Sequence, residues 1–261
     1  MATWAGLKQS HLRSSDPPEP IEQLKFSTMN ELIAFDQRLM LFLNGSDSLY
    51  MDGVMKLFTG TWIWMPLAVT ILFILFKNNS FRNFLLLVLM IAATVYVCDR
   101  VSSGVIKPWV SRLRPCQDPA ILGQIDIVNA GRSGKFGFVS SHAANSFGLF
   151  MFFALLFRHK GLTFTMLVWA IITSFSRIYL GVHYPGDVLC GALFGITVGG
   201  LVYLVYHLFS RRFNHEPKKI TNFYTSSGYL MQDITFIRIV MYLTYVFIAI
   251  YAFIYIQNNF L

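Results

Sequence analysis

The chain has 261 residues, enough for one domain or two small ones; 55% are hydrophobic and only 13% are charged. Soluble domains carry about 25% charged residues, so a water-facing surface cannot be covered here and the apolar surface must lie in lipid. In such a chain the formal charge of +8 reports topology and not nucleic-acid binding, and 16% aromatic residues suit interfacial belts better than base-stacking platforms.

Residues 1–27 read as a polar, poorly ordered segment: Met1 to Gln23 has no apolar core and so is no signal peptide, and Pro17, Pro18 and Pro20 favour extended backbone. Residues 28–59 read as amphipathic interfacial helices. Leu32, Phe35, Leu39 and Leu43 fall on one helical face, while Glu31, Asp36 and Arg38 rule out a spanning run. An ordinary helix in an extramembrane cap fits the same pattern. Residues 60–261 form the membrane domain. Its apolar runs are Trp62–Phe76, Phe84–Val97, Phe147–Phe157, Phe164–Phe175, Val188–Phe209 and Ile234–Ile256. With their flanks, each approaches the ~20 residues that cross ~30 Å of hydrocarbon. The expected fold class is all-α: a polytopic membrane helix bundle of about six transmembrane helices plus an N-terminal amphipathic helix.

The connections fall into two sets. Lys77 to Arg82, Arg158 to Lys160 and the stretch holding Arg211, Arg212, Lys218 and Lys219 are basic, which places them in the cytoplasm. Lys107 to Val139 and Arg177 to Asp187 then lie outside, with both termini. Cys98, Cys116 and Cys190 form no CxxC pair and argue against a disulfide framework.

Ionisable groups are expensive in lipid, so those at helix ends are functional candidates. Lys107, Arg112 and Arg114 crowd the end of the second run, where forked guanidinium groups and an ammonium suit a phosphate. Taken alone, a snorkelling girdle explains them better. Ser140-Ser141-His142 opens the third run, where serine caps and free backbone N–H groups attract an anion; a capped helix with an incidental histidine is the plain alternative. His183 precedes the fifth run, four residues before Asp187 and six after Arg177, so a carboxylate can hold one ring nitrogen and leave the other nucleophilic.

Together these clusters resemble the three-part signature of the type 2 phosphatidic acid phosphatase (PAP2) superfamily: Lys107-x6-Arg114-Pro115, Ser140-x-His142, and Ser176-Arg177-x5-His183-x3-Asp187. The resemblance covers Trp62 to His207. It departs at Val139, where the family has Pro, and at Ser141, where it has Gly; a turn needing positive φ would be strained there. The resemblance implies a membrane lipid phosphatase with His183 as nucleophile, Asp187 orienting and charging it, and His142 as acid and then base. Lys107, Arg114, Ser140, the Ser141 amide and Arg177 would bind the phosphate. It implies no cofactor and no metal, because three cations around one phosphate take over the role of Mg²⁺. The implied partners are the bilayer and a phosphorylated lipid: undecaprenyl pyrophosphate, phosphatidylglycerol phosphate, phosphatidic acid or a lipid A phosphate. A bacterial inner membrane is expected, with the site on its extracytoplasmic face. A non-catalytic binder or transporter of phosphorylated lipids is the competing reading, and it leaves the trio His142, His183 and Asp187 without a purpose. Soluble vanadium haloperoxidases share a related signature but not the spanning runs.

Overall fold

The computed structural model describes residues 20–128, 134–210 and 223–260, and among them it contains helices and no strand. The chain opens with α1 (Pro20–Leu43) and α2 (Leu49–Phe58), the latter capped by the Ser48 side chain. A 3₁₀ turn, Thr61–Trp64, leads into α3 (Met65–Asn78), whose Pro66 sits in the first turn, where no N–H is missed. Helix α4 (Phe81–Val101) continues unbroken through a π-helical turn (Ser102–Ile106) and a last turn (Lys107–Val110). Then come α5 (Ser141–Phe157), α6 (Lys160–Tyr179), α7 (Pro185–Ser210) and α8 (Met231–Phe260).

Five stretches are long and apolar enough to cross a membrane: 61–78, 81–110, 160–179, 185–210 and 231–254. The sixth expected span, α5, has 17 residues, about 25 Å of helix at 1.5 Å per residue. It begins at the polar Ser140-Ser141-His142 cluster, which is what shortens its apolar length. Large side chains such as Phe73, Leu89, Leu193, Leu204 and Phe247 are exposed around the outside, as a lipid-facing surface requires. Leu75, Leu87, Phe152, Phe157, Ile237 and Met241 are buried in the main core.

The centre of the bundle is the α5–α7 pair. Gly191, Gly195 and Gly199 recur every fourth residue along one stripe of α7, and a Cβ on them would collide with the carbonyls of Ser140, Ala144 and Gly148. Lipid gives apolar side chains no drive to associate, so close backbone contact supplies van der Waals energy instead. Lys77 Nζ and Asn78 Nδ2 bind the two oxygens of Asp233 at 2.8 and 2.7 Å, which fastens α3 to α8 at their basic ends.

Residues 1–19 of the expected poorly ordered segment lie outside the described residues, and α1 already begins at Pro20. On α1, Leu32 and Phe35 face outward, while Asp36 and Met40 face the bundle. Of the three charged residues that rule out a span, Asp36 is therefore on the packed side, while Glu31 and Arg38 are exposed. At the end of α1 the Asn44 amide spans two loops: Nδ2 donates to the carbonyl of Tyr179 at 2.8 Å, and Oδ1 accepts the N–H of Asp126 at 2.8 Å.

Candidate active site

Each of the three sequence clusters sits at a helix end, and the fold brings those ends together. The π turn of α4 widens one turn of helix and so rotates its polar residues toward the start of α5. Lys107 Nζ reaches Ser141 Oγ at 2.7 Å, and the Ser102 and Ser103 hydroxyls lie 2.8 and 3.0 Å from that same oxygen. Ser102 Oγ is also 2.6 Å from the Cys98 carbonyl, which can only accept. Between the two hydroxyls Ser102 is the donor, so its proton is shared between the Cys98 carbonyl and Ser141 Oγ. Ser141 Oγ thus accepts from both the Lys107 ammonium and the Ser102 hydroxyl. A glycine at 141 could accept neither.

The strain anticipated at Ser141 does not arise. Ser141 is the first residue of α5, and among the described residues only Ser111 and Arg158 are non-glycines with positive φ. Ser140 is fully buried as the N-cap: its Oγ accepts the Ala143 N–H at 3.5 Å, and its own N–H donates to the Asp187 carbonyl at 3.0 Å. Its hydroxyl proton remains to be given. His142, the second residue of the helix, is exposed.

His183 is buried, on the short loop between α6 and α7. The backbone N–H groups of Val182 and His183 both donate to the Arg177 carbonyl, at 3.1 and 3.2 Å, which fixes the loop to the end of α6. Arg114 Nη1 lies 3.0 Å from His183 Nε2. A guanidinium only donates, so Nε2 is the bare nitrogen and the ring proton sits on Nδ1. Nδ1 in turn faces Asp187 Oδ2 at 3.6 Å, beyond hydrogen-bond length but close enough to respond to charge. The Tyr184 N–H donates to that same oxygen at 3.1 Å. Gly137 closes the wall: a Cβ there would stand 2.8 Å from Asp187 Oδ2. Arg177 donates to Thr59 Oγ1 at 3.0 Å, while its Nε is buried with no partner.

Burial is the first cause holding the His183 imidazole well below its ordinary 6.5; the Arg114, Arg177 and Lys107 charges add to it. Burial also lowers Arg114. Such a pocket gathers positive charge around a histidine whose own charging is disfavoured, an electrostatic setting that suits an anion.

The eight sequence candidates Lys107, Arg114, Ser140, Ser141, His142, Arg177, His183 and Asp187 thus gather at one end of the bundle. Arg112, grouped with Lys107 and Arg114 on sequence, belongs elsewhere: its guanidinium binds Asp187 Oδ1 at 2.9 Å and Asp36 Oδ2 at 2.7 Å. Burial works against its charge, but Asp187 and Asp36 more than offset this and raise it. Asp36, Gly137 and Thr59 were not singled out from sequence. Asp36 entered there only beside Glu31 and Arg38, as one of the charges that rule out a spanning run.

The family model of the PAP2 superfamily matches residues 83–212. The chain is 42% identical over 182 residues to a lipid A 4'-phosphatase of Bacteroides thetaiotaomicron, covering 69% of this chain and 81% of that one. It is 34% identical over 180 residues to a lipid A 4'-phosphatase of Porphyromonas gingivalis, covering 68% and 75%. The chain belongs to the PAP2 superfamily. Its fold matches the crystal structure of a transmembrane PAP2-type phosphatidylglycerolphosphate phosphatase from Bacillus subtilis, with a TM-score of 0.51 at 22% identity over 72% of this chain and 90% of that one. This PAP2 protein is a membrane phosphatase acting on lipid, as the sequence motifs implied.

Proposed function

We propose that this chain removes the 4'-phosphate of lipid A through a phosphohistidine on His183. The observation that carries the substrate is the 42% identity to a lipid A 4'-phosphatase over 81% of that protein's length. Among the lipids considered from sequence, it favours a phosphate monoester on a sugar headgroup over pyrophosphates and glycerol phosphates. Exposed Val105 and Trp109 flank Lys107 on α4, an apolar rim that suits a headgroup entering sideways while its acyl chains stay in lipid.

In this reading the substrate phosphate takes over Arg114 from His183 Nε2 and so frees the lone pair. Lys107, Arg177, the Ser140 hydroxyl and the Ser141 amide, at the positive end of α5, bind the other oxygens. Nε2 attacks phosphorus in line and forms a P–N bond as the P–O bond to the sugar breaks. His142 gives its proton to the departing sugar oxygen. His142 then takes a proton from water, whose oxygen attacks phosphorus and breaks the P–N bond, so inorganic phosphate leaves and His183 is restored. Asp187 stabilises the positive charge that the ring carries in between. The residues supply all the charge stabilisation that the step requires, so turnover should persist in EDTA, and vanadate should inhibit as a mimic of five-coordinate phosphorus.

The test is phosphate release by the purified protein in detergent with EDTA, from lipid A, phosphatidylglycerol phosphate, phosphatidic acid and undecaprenyl pyrophosphate. His183→Ala is the control. The expected result is release from lipid A alone, with mass spectrometry showing loss from the 4' position, and none from the variant. Preferred release from another lipid would overturn the substrate; full turnover by His183→Ala would overturn the intermediate.

A further inference from the structure

Arg112 and Asp36 stand outside the three-part signature, yet they govern how Asp187 is held. The guanidinium divides its donors, Nη1 to Asp187 and Nη2 to Asp36. It lies on the Tyr184 ring, 4.0 Å from the centroid, and the Tyr184 hydroxyl donates to Asp118 Oδ2 at 2.6 Å. The other oxygen of Asp36 accepts the Gly186 N–H at 2.8 Å, so this carboxylate also caps the first turn of α7, the turn that carries Asp187. A Cβ at 186 would stand 2.8 Å from Asp36 Oδ2, so a side chain there would displace this carboxylate.

We propose that Asp36, brought in by α1, is a positioning residue for the reaction: by engaging Arg112 it keeps Asp187 Oδ2 turned toward His183. The inference rests on reading Asp187 as the carboxylate partner of His183. A guanidinium facing a single carboxylate closes on it with two parallel bonds. If Arg112 closed so on Asp187, Oδ2 would leave the Tyr184 N–H and move away from His183 Nδ1. Asp36 takes the second N–H and prevents that closure. It also adds charge: two carboxylates share one guanidinium, so negative charge remains beside a ring that becomes positive when Nε2 is phosphorylated. Without Asp36, Arg112 and Asp187 would form a neutral pair and support that ring less.

The test uses the full chain in detergent with lipid A as substrate. Asp36→Asn keeps an oxygen for the Gly186 N–H and removes the charge. Its kcat should fall about ten- to a hundredfold, as expected when a reacting group is held out of place, with KM changed less than about threefold. Asp36→Glu should restore most of kcat. Arg112→Lys, which keeps the charge and loses the fork, should show the same kcat-specific loss and serves should the first variant fail to fold. Met40→Ala loosens the packing of α1 at a fully buried position while leaving both carboxylates and the guanidinium in place, and should lower Tm while leaving kcat within about threefold of wild type. Wild-type kcat in Asp36→Asn, or an equal loss of kcat in Met40→Ala, overturns the proposal. Wild-type turnover in Asp187→Asn would instead overturn the reading of Asp187, and so separates the two failures.

Discussion

A buried neutral histidine among cations makes stability depend on pH in a predictable direction. His183 is held well below 6.5 in the folded protein, first by burial and then by Arg114, Arg177 and Lys107. Below about 6.5 the unfolded chain takes up a proton at this position that the folded site refuses, so stability falls as pH drops and this contribution is flat above that value. Each pH unit below 6.5 costs up to about 1.4 kcal/mol until the folded group itself titrates. Thermal unfolding in detergent at pH 7.5 and 5.5 should therefore show a larger acid-induced fall in Tm for wild type than for His183→Gln. Equal falls would mean that the ring is solvated or already charged at neutral pH. In the proposed reaction the same depression favours an unprotonated His183 Nε2, which faces Arg114.

Helix ends were the legible elements of this site. Lys107, His142, Arg177 and Asp187 are ionisable residues in or beside apolar runs, and the cost of placing charge in lipid marks them without any structure. Asp36 and Gly137 work through space, against Arg112 and Asp187 from distant parts of the chain, so no local pattern could reveal them. Adjacency to Arg114 likewise says nothing about which carboxylates surround Arg112. The helices themselves followed from apolar runs, whereas the π turn that aims Lys107 leaves no periodic trace. The α5–α7 contact is readable as small residues every fourth position, and it makes a sharp prediction. Gly195→Val would push a side chain into the Ala144 carbonyl, whereas Gly200 has nothing nearer its ideal Cβ than Met151 Cε at 4.0 Å. Overpacking of this kind costs about 1–3 kcal/mol, and because α5 carries Ser140 to His142, activity should fall with Tm in Gly195→Val. Gly200→Val should retain both. Equal behaviour of the two variants would mean that the stripe does not set the helix spacing.

At the scale of the whole molecule, helix directions sort the chain into two ends. Helix α4 runs toward Lys107, α5 away from His142, α6 toward Arg177 and α7 away from Asp187, so every site residue lies at one end. Lys77, Asn78 and Asp233 tie helices together at the other, with Arg158 and Lys160 in the short α5–α6 connection. Lysine and arginine in short loops mark the cytoplasmic side, while the basic residues at the site end carry no such message if they bind the phosphate as proposed. The reaction is therefore expected to face away from the cytoplasm. Single cysteines in a background with Cys98, Cys116 and Cys190 replaced by serine would test this. Gly123→Cys lies in an open part of the site-end loop, with nothing within 4 Å of its ideal Cβ, and should react with a membrane-impermeant maleimide in intact spheroplasts. Lys160→Cys, exposed at the opposite end, should react only after permeabilisation. The reverse pattern would place the phosphatase site in the cytoplasm, and the charge of the site-end loops would then have to be counted as a topology signal after all.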